Sequence, residues 1–316
     1  MEKRKLGNSS LEVTPLAFGG NVFGWTADEA TSFKLLDAFV AEGFNLIDTA
    51  DVYSKWVPGN KGGESETIIG RWMKKTGNRH KVVIVTKVGM ELSPTQKGLS
   101  KAYILKEVEE SLKRLQTDYI DLYLSHKDDE TTPQLETLEA YAQLIKEGKV
   151  RHIGASNFTT ERLAEALLIS KEHSLPHYEV LEPEYNLYDN DFQKELAPFC
   201  MQNNIGVISY FSLARGFLSG KYRSQADISK SPRGQGIAKS YFNERGFRIL
   251  NALDEVAQHY NTNPATIALA WLMNQPIVTA PIASATSLDQ LHQLVQSVNI
   301  KLERDSIHKL NEASKD

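Results

Sequence analysis

Four side chains able to give, take or steer a proton stand at or just beyond the ends of apolar runs in this sequence. Asp48 closes "NLID", Tyr53 follows in "TADVYS", Lys87 ends the β-branched run "VVIVTK", and His126 ends "YIDLYLSH". A lysine in such a run is costly, because an ammonium is almost never fully buried without a partner. Asp48 is the carboxylate that would compensate it. Taken singly, each residue has an ordinary structural explanation: a cap, an ion pair, a packed phenol, a core imidazole. At successive strand ends they make a cluster suited to general acid–base chemistry.

Something must bring these ends together. Eight short apolar runs recur along the chain: "PLAFGG", "NLIDTA", "VVIVTKV", "YIDLYLSH", "VRHIGAS", "YEVLEPEY", "IGVISYF" and "VTAPIAS". Segments of helical spacing separate them, such as "DEATSFKLLDAFVAEG" and "SKAYILKEVEESLKRLQ", and Gly43, Gly77 and Gly148 stand where helix C-caps belong. Strand and helix alternating eight times predict an α/β fold, a (β/α)8 TIM barrel over residues 1–316 as one domain. An open doubly wound sheet is the alternative. "KRKLGNSSLEV" predicts an N-terminal β-hairpin turning at Gly7–Asn8. The stretch from Ser212 to about Ser240 is long and polar, and follows the seventh strand on the side where barrels carry their sites.

Composition narrows the class. The chain has 316 residues, 24% of them charged, and a net charge of −4, which argues against a nucleic-acid surface. The single cysteine, Cys200, excludes an internal disulfide and fits a reducing cytoplasm. No apolar run reaches the length of a membrane span, and "MEKRKLGNSS" has no apolar core of a signal peptide. No zinc motif, P-loop, nucleophile elbow or GxGxxG appears; "GGNVFG" has the wrong spacing, and Pro176 separates His173 from His177. A soluble cytoplasmic protein without a metal site, nucleic-acid partner or membrane partner is the expectation, its oligomeric state unread.

The motifs "LGNSSLEVTPLAFGG", "NLIDTADVYS", "DYIDLYLSH", "GKVRHIGASNF" and "GVISYFSLARGFLSGKY", with the Lys87 strand, make the chain similar to the aldo-keto reductases over nearly its whole length. That resemblance implies a (β/α)8 barrel passing hydride between NADP(H), or NAD(H), and a carbonyl or alcohol: an aldehyde, ketone or sugar. It implies a catalytic tetrad of Asp48, Tyr53, Lys87 and His126. The chemistry is coherent: a carbonyl gaining hydride builds charge on oxygen and needs a proton donor beside it. Tyrosine, with a reference pKa of about 10, needs a nearby cation to lower it. Lys87 is expected to do so, and His126 to orient the substrate oxygen.

For the cofactor, the resemblance implies Ser156 and Asn157 on the nicotinamide carboxamide and Tyr210 stacked on its ring. Ser212, Leu213, Arg215, Gly216, Leu218, Gly220 and Lys221 would wrap the pyrophosphate. Ser284, Thr286 and Gln290 would face the adenosine phosphate; Trp25, together with Trp56 from this chain's own loop after Tyr53, is expected to wall the substrate pocket.

This chain departs from the family at three places. Thr286 stands where an arginine commonly meets the 2′-phosphate, and Leu294 where an asparagine contacts adenine, so the preference for NADPH is expected to be modest. "SKWVPGNKGGESE" is a longer loop after Tyr53. Glu182 replaces a glutamine that touches the carboxamide, which is expected to put a negative charge near the ring and favour its oxidised form. Potassium-channel β subunits share the fold, so a cofactor-binding regulator with vestigial activity is the alternative function. The intact tetrad favours the enzyme, as does a chain that begins without a long N-terminal extension.

Overall fold

The computed structural model describes residues 1–315. Its eight central strands are β3 (Ala17–Gly19), β4 (Leu46–Asp48), β5 (Val83–Val88), β6 (Ile120–Ser125), β7 (Val150–Ser156), β8 (Val180–Glu182), β9 (Gly206–Ser209) and β10 (Val278–Ala283). Each pairs in parallel with the next, and β10 returns to β3, closing the barrel and leaving no free edge. Every predicted apolar run supplies one strand, and the closed order replaces the open-sheet alternative.

Side-chain alternation along these strands builds the site. Leu46, Val85, Leu122, Leu124, Val180 and Ile208 fall in one inner cluster, while their neighbours Ile47, Ile84, Tyr123, Leu181 and Val207 belong to the outer core under the helices. Counting two residues at a time from the inner set brings Asp48, Lys87, His126, Glu182 and Tyr210 inward at the C-terminal mouth. A hydrophobic stack therefore ends in a polar layer.

The hairpin forms, but with a longer turn than expected. β1 (Arg4–Lys5) pairs antiparallel with β2 (Glu12–Val13), and residues Leu6 to Leu11 make the connection, closed by Leu6 N–H on the Leu11 carbonyl at 3.0 Å. Gly7 and Asn8 lie within this loop. Leu6, Leu11 and Val13 join the inner cluster, so the hairpin stoppers the N-terminal end of the barrel. Gly7 is required there: its φ is +58°, and a Cβ would lie 2.3 Å from the Gly206 nitrogen. Arg4 fixes the hairpin by donating to the carbonyls of Val278, Thr279 and Met273 at 3.2–3.3 Å.

Helices α1 (Glu29–Ala41), α2 (Glu64–Thr76), α3 (Lys101–Leu115), α4 (Gln134–Lys146) and α5 (Thr160–His173) follow successive strands, and α6 (Leu196–Gln202) is short. Asp28, Ser100 and Thr159 cap α1, α3 and α5 through their side chains. The stretch predicted as a long loop is ordered. It folds into 3-10 turns at Ala214–Ser219 and Gln225–Lys230, then α7 (Gly234–Tyr241). Tyr241 stacks on Phe217 at 5.2 Å, an apolar anchor that a reading based on polarity passes over. Helices α8 (Glu244–His259), α9 (Pro264–Met273), α10 (Leu288–Gln296) and α11 (Arg304–Ser314) complete the shell. No helix among the described residues is long and apolar enough to cross a membrane.

Candidate active site

Lys87 is the centre of the polar layer and is fully buried. Its Nζ donates to Asp48 Oδ1, to the Thr49 carbonyl at 2.9 Å and to Tyr53 Oη at 3.0 Å, and it lies 3.3 Å from Glu182 Oε1. Burial works to lower the ammonium's pKa, but Asp48 and Glu182 hold it well above the ordinary lysine value. The lysine is therefore a permanent cation, as a carboxylate partner at this position implies.

The loop after β4 delivers Tyr53. Thr49 N–H and Asp51 N–H continue the pairing onto the carbonyls of Val85 and Lys87, and Tyr53 N–H then turns back to Ala50. Ser54 Oγ on the Phe23 carbonyl and Asn60 Nδ2 on those of Gly24 and Ser54 fasten the far side. Tyr53 Oη also donates to Asp48 Oδ2 at 3.3 Å.

The electrostatics here differ from the expectation of a lowered phenol pKa. Burial, then Asp48, push Tyr53 above its usual range, and Lys87 only partly offsets them. The sequence shows which cation is available but not how many carboxylates share it. Tyr53 is thus a phenol that keeps its proton until something draws it off.

His126 is buried, its ring centroid 5.9 Å from that of Tyr53. Burial, with Lys87 nearby, holds its pKa well below the usual value, so the imidazole is neutral. Its Nδ1 has no hydrogen-bond partner among the described residues.

Glu182 differs most from its sequence reading. Burial and the neighbouring Asp48 raise its carboxyl to about 8, against the pull of Lys87. At neutral pH it is mainly protonated, so it does not supply the fixed negative charge expected beside the ring. Its Oε2 accepts no hydrogen bond.

Above this layer opens a cavity of about 580 Å³ that reaches from Asp48 and Tyr53 across to α10. Tyr210, Ser212, Leu213, Arg215, Gly216 and Lys221 line one wall, and Ser284, Thr286 and Gln290 the far end. Two expected residues are elsewhere. Leu218 is buried in the core with its N–H given to the Leu213 carbonyl, and the Gly220 N–H goes to Phe217. Both shape the turn from behind instead of facing the cavity.

Ser156 and Asn157 sit beside the polar layer, in a chain running from Tyr210 Oη to Asn157 Oδ1 (2.7 Å), from Asn157 Nδ2 to Ser156 Oγ (3.0 Å), and from Ser156 Oγ to the Glu182 carbonyl (2.8 Å). Trp25 lines the cavity. Trp56 is about half exposed and packs edge-on against Trp25 and Tyr53, with centroids 5.7 and 6.0 Å apart.

The structure adds two cations that the motifs did not mark. Lys230 and Arg233, from the ordered segment just before α7, line the same cavity as Thr286, and Arg233 stacks over Trp25 at 4.8 Å. Burial lowers the Arg233 pKa and no carboxylate is among the groups that act on it, whereas Lys230 is paired with Asp227 at 2.6 Å. The basic "SPRGQG" carried that signal, though only the fold directs it inward. Among the described residues no group of three or more potential metal ligands is gathered in one place.

The closed parallel barrel thus carries a lysine–carboxylate–phenol cluster at its C-terminal mouth, under a cation-lined cavity. The sequence model of the aldo/keto reductase family matches residues 15–315, and the chain belongs to that family. It is 33% identical to the uncharacterized oxidoreductase YrpG of Bacillus subtilis, over 99% of this chain and 95% of the relative. It is also 33% identical to the aldo-keto reductase YhdN of the same organism, over 93% and 88%. A probable voltage-gated potassium channel subunit beta of Oryza sativa is 31% identical over 95% and 92%. The protein is an oxidoreductase acting on carbonyl groups.

Proposed function

We propose that this protein is an NADP(H)-dependent reductase of aldehydes, ketones or sugar carbonyls, working as one barrel domain in the cytoplasm, with Tyr53 as the proton donor. The observation that carries the reading is the buried Lys87 ammonium, 3.0 Å from the Tyr53 hydroxyl, at the floor of a cavity open to substrate.

The residues present fit a nicotinamide dinucleotide. Arg215, Lys221, Lys230 and Arg233 surround the cavity, and a partly buried guanidinium without a carboxylate partner suits a phosphate. The left-handed backbone at Arg215 and Gly216 (φ +60° and +104°) gives a concave turn that extended phosphates can approach. Tyr210 offers a ring face beside Asn157 and Ser156, whose amide and hydroxyl can meet a carboxamide. When bound, the nicotinamide would supply hydride to the carbonyl carbon.

This chain's own residues do the rest. Tyr53 Oη gives its proton to the substrate oxygen as negative charge develops there. Lys87, unable to leave or lose its charge, stabilises the phenolate left behind and so lowers the barrier, although burial and Asp48 keep the resting Tyr53 protonated. Neutral His126 can donate a hydrogen bond to the same oxygen and set its angle. Trp25 and Trp56 offer an apolar wall for the remainder of the substrate.

The test is NADPH oxidation at 340 nm with a panel of aromatic aldehydes, ketones and sugars, using the wild type and Tyr53→Phe. Turnover in the wild type that collapses in the variant supports the reading. Tight NADPH binding with no turnover on any substrate would return the regulatory alternative.

A further inference from the structure

The proposed reaction assigns work to Tyr53, Lys87 and His126, with Asp48 holding the charge on Lys87, but none to Glu182, although its carboxyl lies in the same buried layer. Around Lys87 Nζ stand four oxygens: Asp48 Oδ1, the Thr49 carbonyl, Tyr53 Oη and Glu182 Oε1. An ammonium has only three protons to donate. With Asp48, Thr49 and Tyr53 as its partners, Glu182 at 3.3 Å is the one left over.

Resting on the reductase reading, we propose that Glu182 is a titratable positioning residue that acts on Tyr53 through Lys87. With its proton on, Glu182 leaves the lysine's three N–H bonds to Asp48, Thr49 and Tyr53. With the proton lost to solvent, it becomes a second anion on the same cation and competes with Tyr53 Oη for a donor. The phenolate formed when Tyr53 protonates substrate is then less stabilised, and the reductive step slows.

Two further observations agree with a carboxyl that carries a proton at rest. One lysine balances one carboxylate, and a second buried anion would have no partner charge. One oxygen of the Glu182 carboxyl, Oε2, accepts no hydrogen bond, and a hydrogen bond between the Glu182 and Asp48 carboxyl groups raises the Glu182 pKa.

The groups facing Glu182 from the surrounding strands are Asp48 from β4, Tyr53 from the loop after it, Lys87 from β5 and Tyr210 from the end of β9; His126, at the end of β6, adjoins Lys87. Lys87 and Tyr210 are held above their usual values, and His126 below. Of these groups Glu182 is the one whose carboxyl is raised to about 8, and because burial also raises the neighbouring Asp48 the titration belongs to the pair.

The experiment uses the full chain labelled with 13C at tyrosine Cζ, the Tyr53 signal being assigned with Tyr53→Phe. In the wild type the signal should inflect near pH 8. In Glu182→Gln the inflection should vanish, and Glu182→Asp, which keeps a carboxyl, should retain one. In parallel, kcat for NADPH-driven reduction of an aromatic aldehyde should fall about threefold or more through that interval in the wild type and stay flat in Glu182→Gln. A wild-type Tyr53 signal that is flat from about pH 6 to 9 overturns the proposal without any variant. So does an inflection that survives in Glu182→Gln. An inflection that the glutamine removes, in a protein that reduces no carbonyl, upholds the coupling and overturns the reductase reading instead.

Discussion

At the scale of single residues, the cluster around Lys87 depends on each charge having its counterpart. Lys87→Met removes the cation that stabilises the phenolate and should lower kcat by about 10²–10⁴-fold while leaving NADPH affinity near normal. Tyr53→Phe should be at least as damaging. Single-turnover rates and a separate binding titration distinguish these effects, and near-normal turnover in Lys87→Met would remove the lysine from the mechanism. His126 makes a second prediction, through pH. Its imidazole is neutral in the fold, with a pKa well below 6.5, whereas in the unfolded chain it titrates at about 6.5. Below that pH the unfolded state binds the extra proton, so stability is present above about 6.5 and falls as pH falls, by about 1.4 kcal/mol per pH unit for one site. Urea unfolding at pH 7.5 and 5.5 should show a smaller acid loss in His126→Gln than in the wild type. Equal losses would mean that this histidine is charged in the fold.

Elements hold these residues in register, and a second buried polar joint holds the elements. Thr86, on the outer face of β5 beside Lys87, donates to Glu66 Oε1 of α2 at 2.6 Å, and Arg114 of α3 bridges Glu66 and Glu107 at 2.6 Å each. Glu66 and Glu107 are buried, and Arg114 is their shared cation. The two helices packed behind β5 are thus tied to the strand that carries Lys87. Arg114→Met leaves two carboxyls uncompensated and should cost about 3–5 kcal/mol, the usual penalty for breaking a buried pair from one side. Chemical denaturation checks this, and a loss under about 1 kcal/mol would mean that the joint is solvated. The motif pattern gives no hint of this joint, because its members come from α2, β5 and α3 and none lies at a strand end.

At the scale of the whole molecule, the proposed use of NADP(H) turns on the charges that line the cavity. A ligand that binds only the folded state stabilises it by about 2.7 kcal/mol at a hundredfold excess over Kd, so NADPH should raise Tm by several degrees. Thr286 and Gln290 at the far end carry no charge, and the Thr286 hydroxyl is engaged with Gln290 Oε1 at 3.1 Å. Arg233 and Lys230 supply cations elsewhere in the lining instead. NADPH should therefore be preferred to NADH by a modest factor, and Thr286→Arg should widen the gap through a paired guanidinium–phosphate contact. Arg233→Ala should narrow it. Dissociation constants for both cofactors in the three proteins decide the matter; a wild type that binds NADH as tightly as NADPH would reverse the prediction.

The sequence by itself determined the eight-fold alternation, the hairpin and the four proton-handling residues at strand ends. Each of these is written locally, in periodicity of two or 3.6 and in polar residues that interrupt apolar runs. Only the tertiary structure decided what surrounds them. Tyr53 and Lys87 were legible as a pair, but Glu182 becomes the lysine's second carboxyl neighbour only when β8 closes the ring opposite β4 and β5. The polar stretch after β9 was visible as an exception to the repeat, yet only the fold stacks its Phe217 on Tyr241 and brings its Arg233 to the cavity. Proton affinity in a buried layer depends on the sum of desolvation and every nearby charge, and that sum is set by distances between residues far apart in the chain.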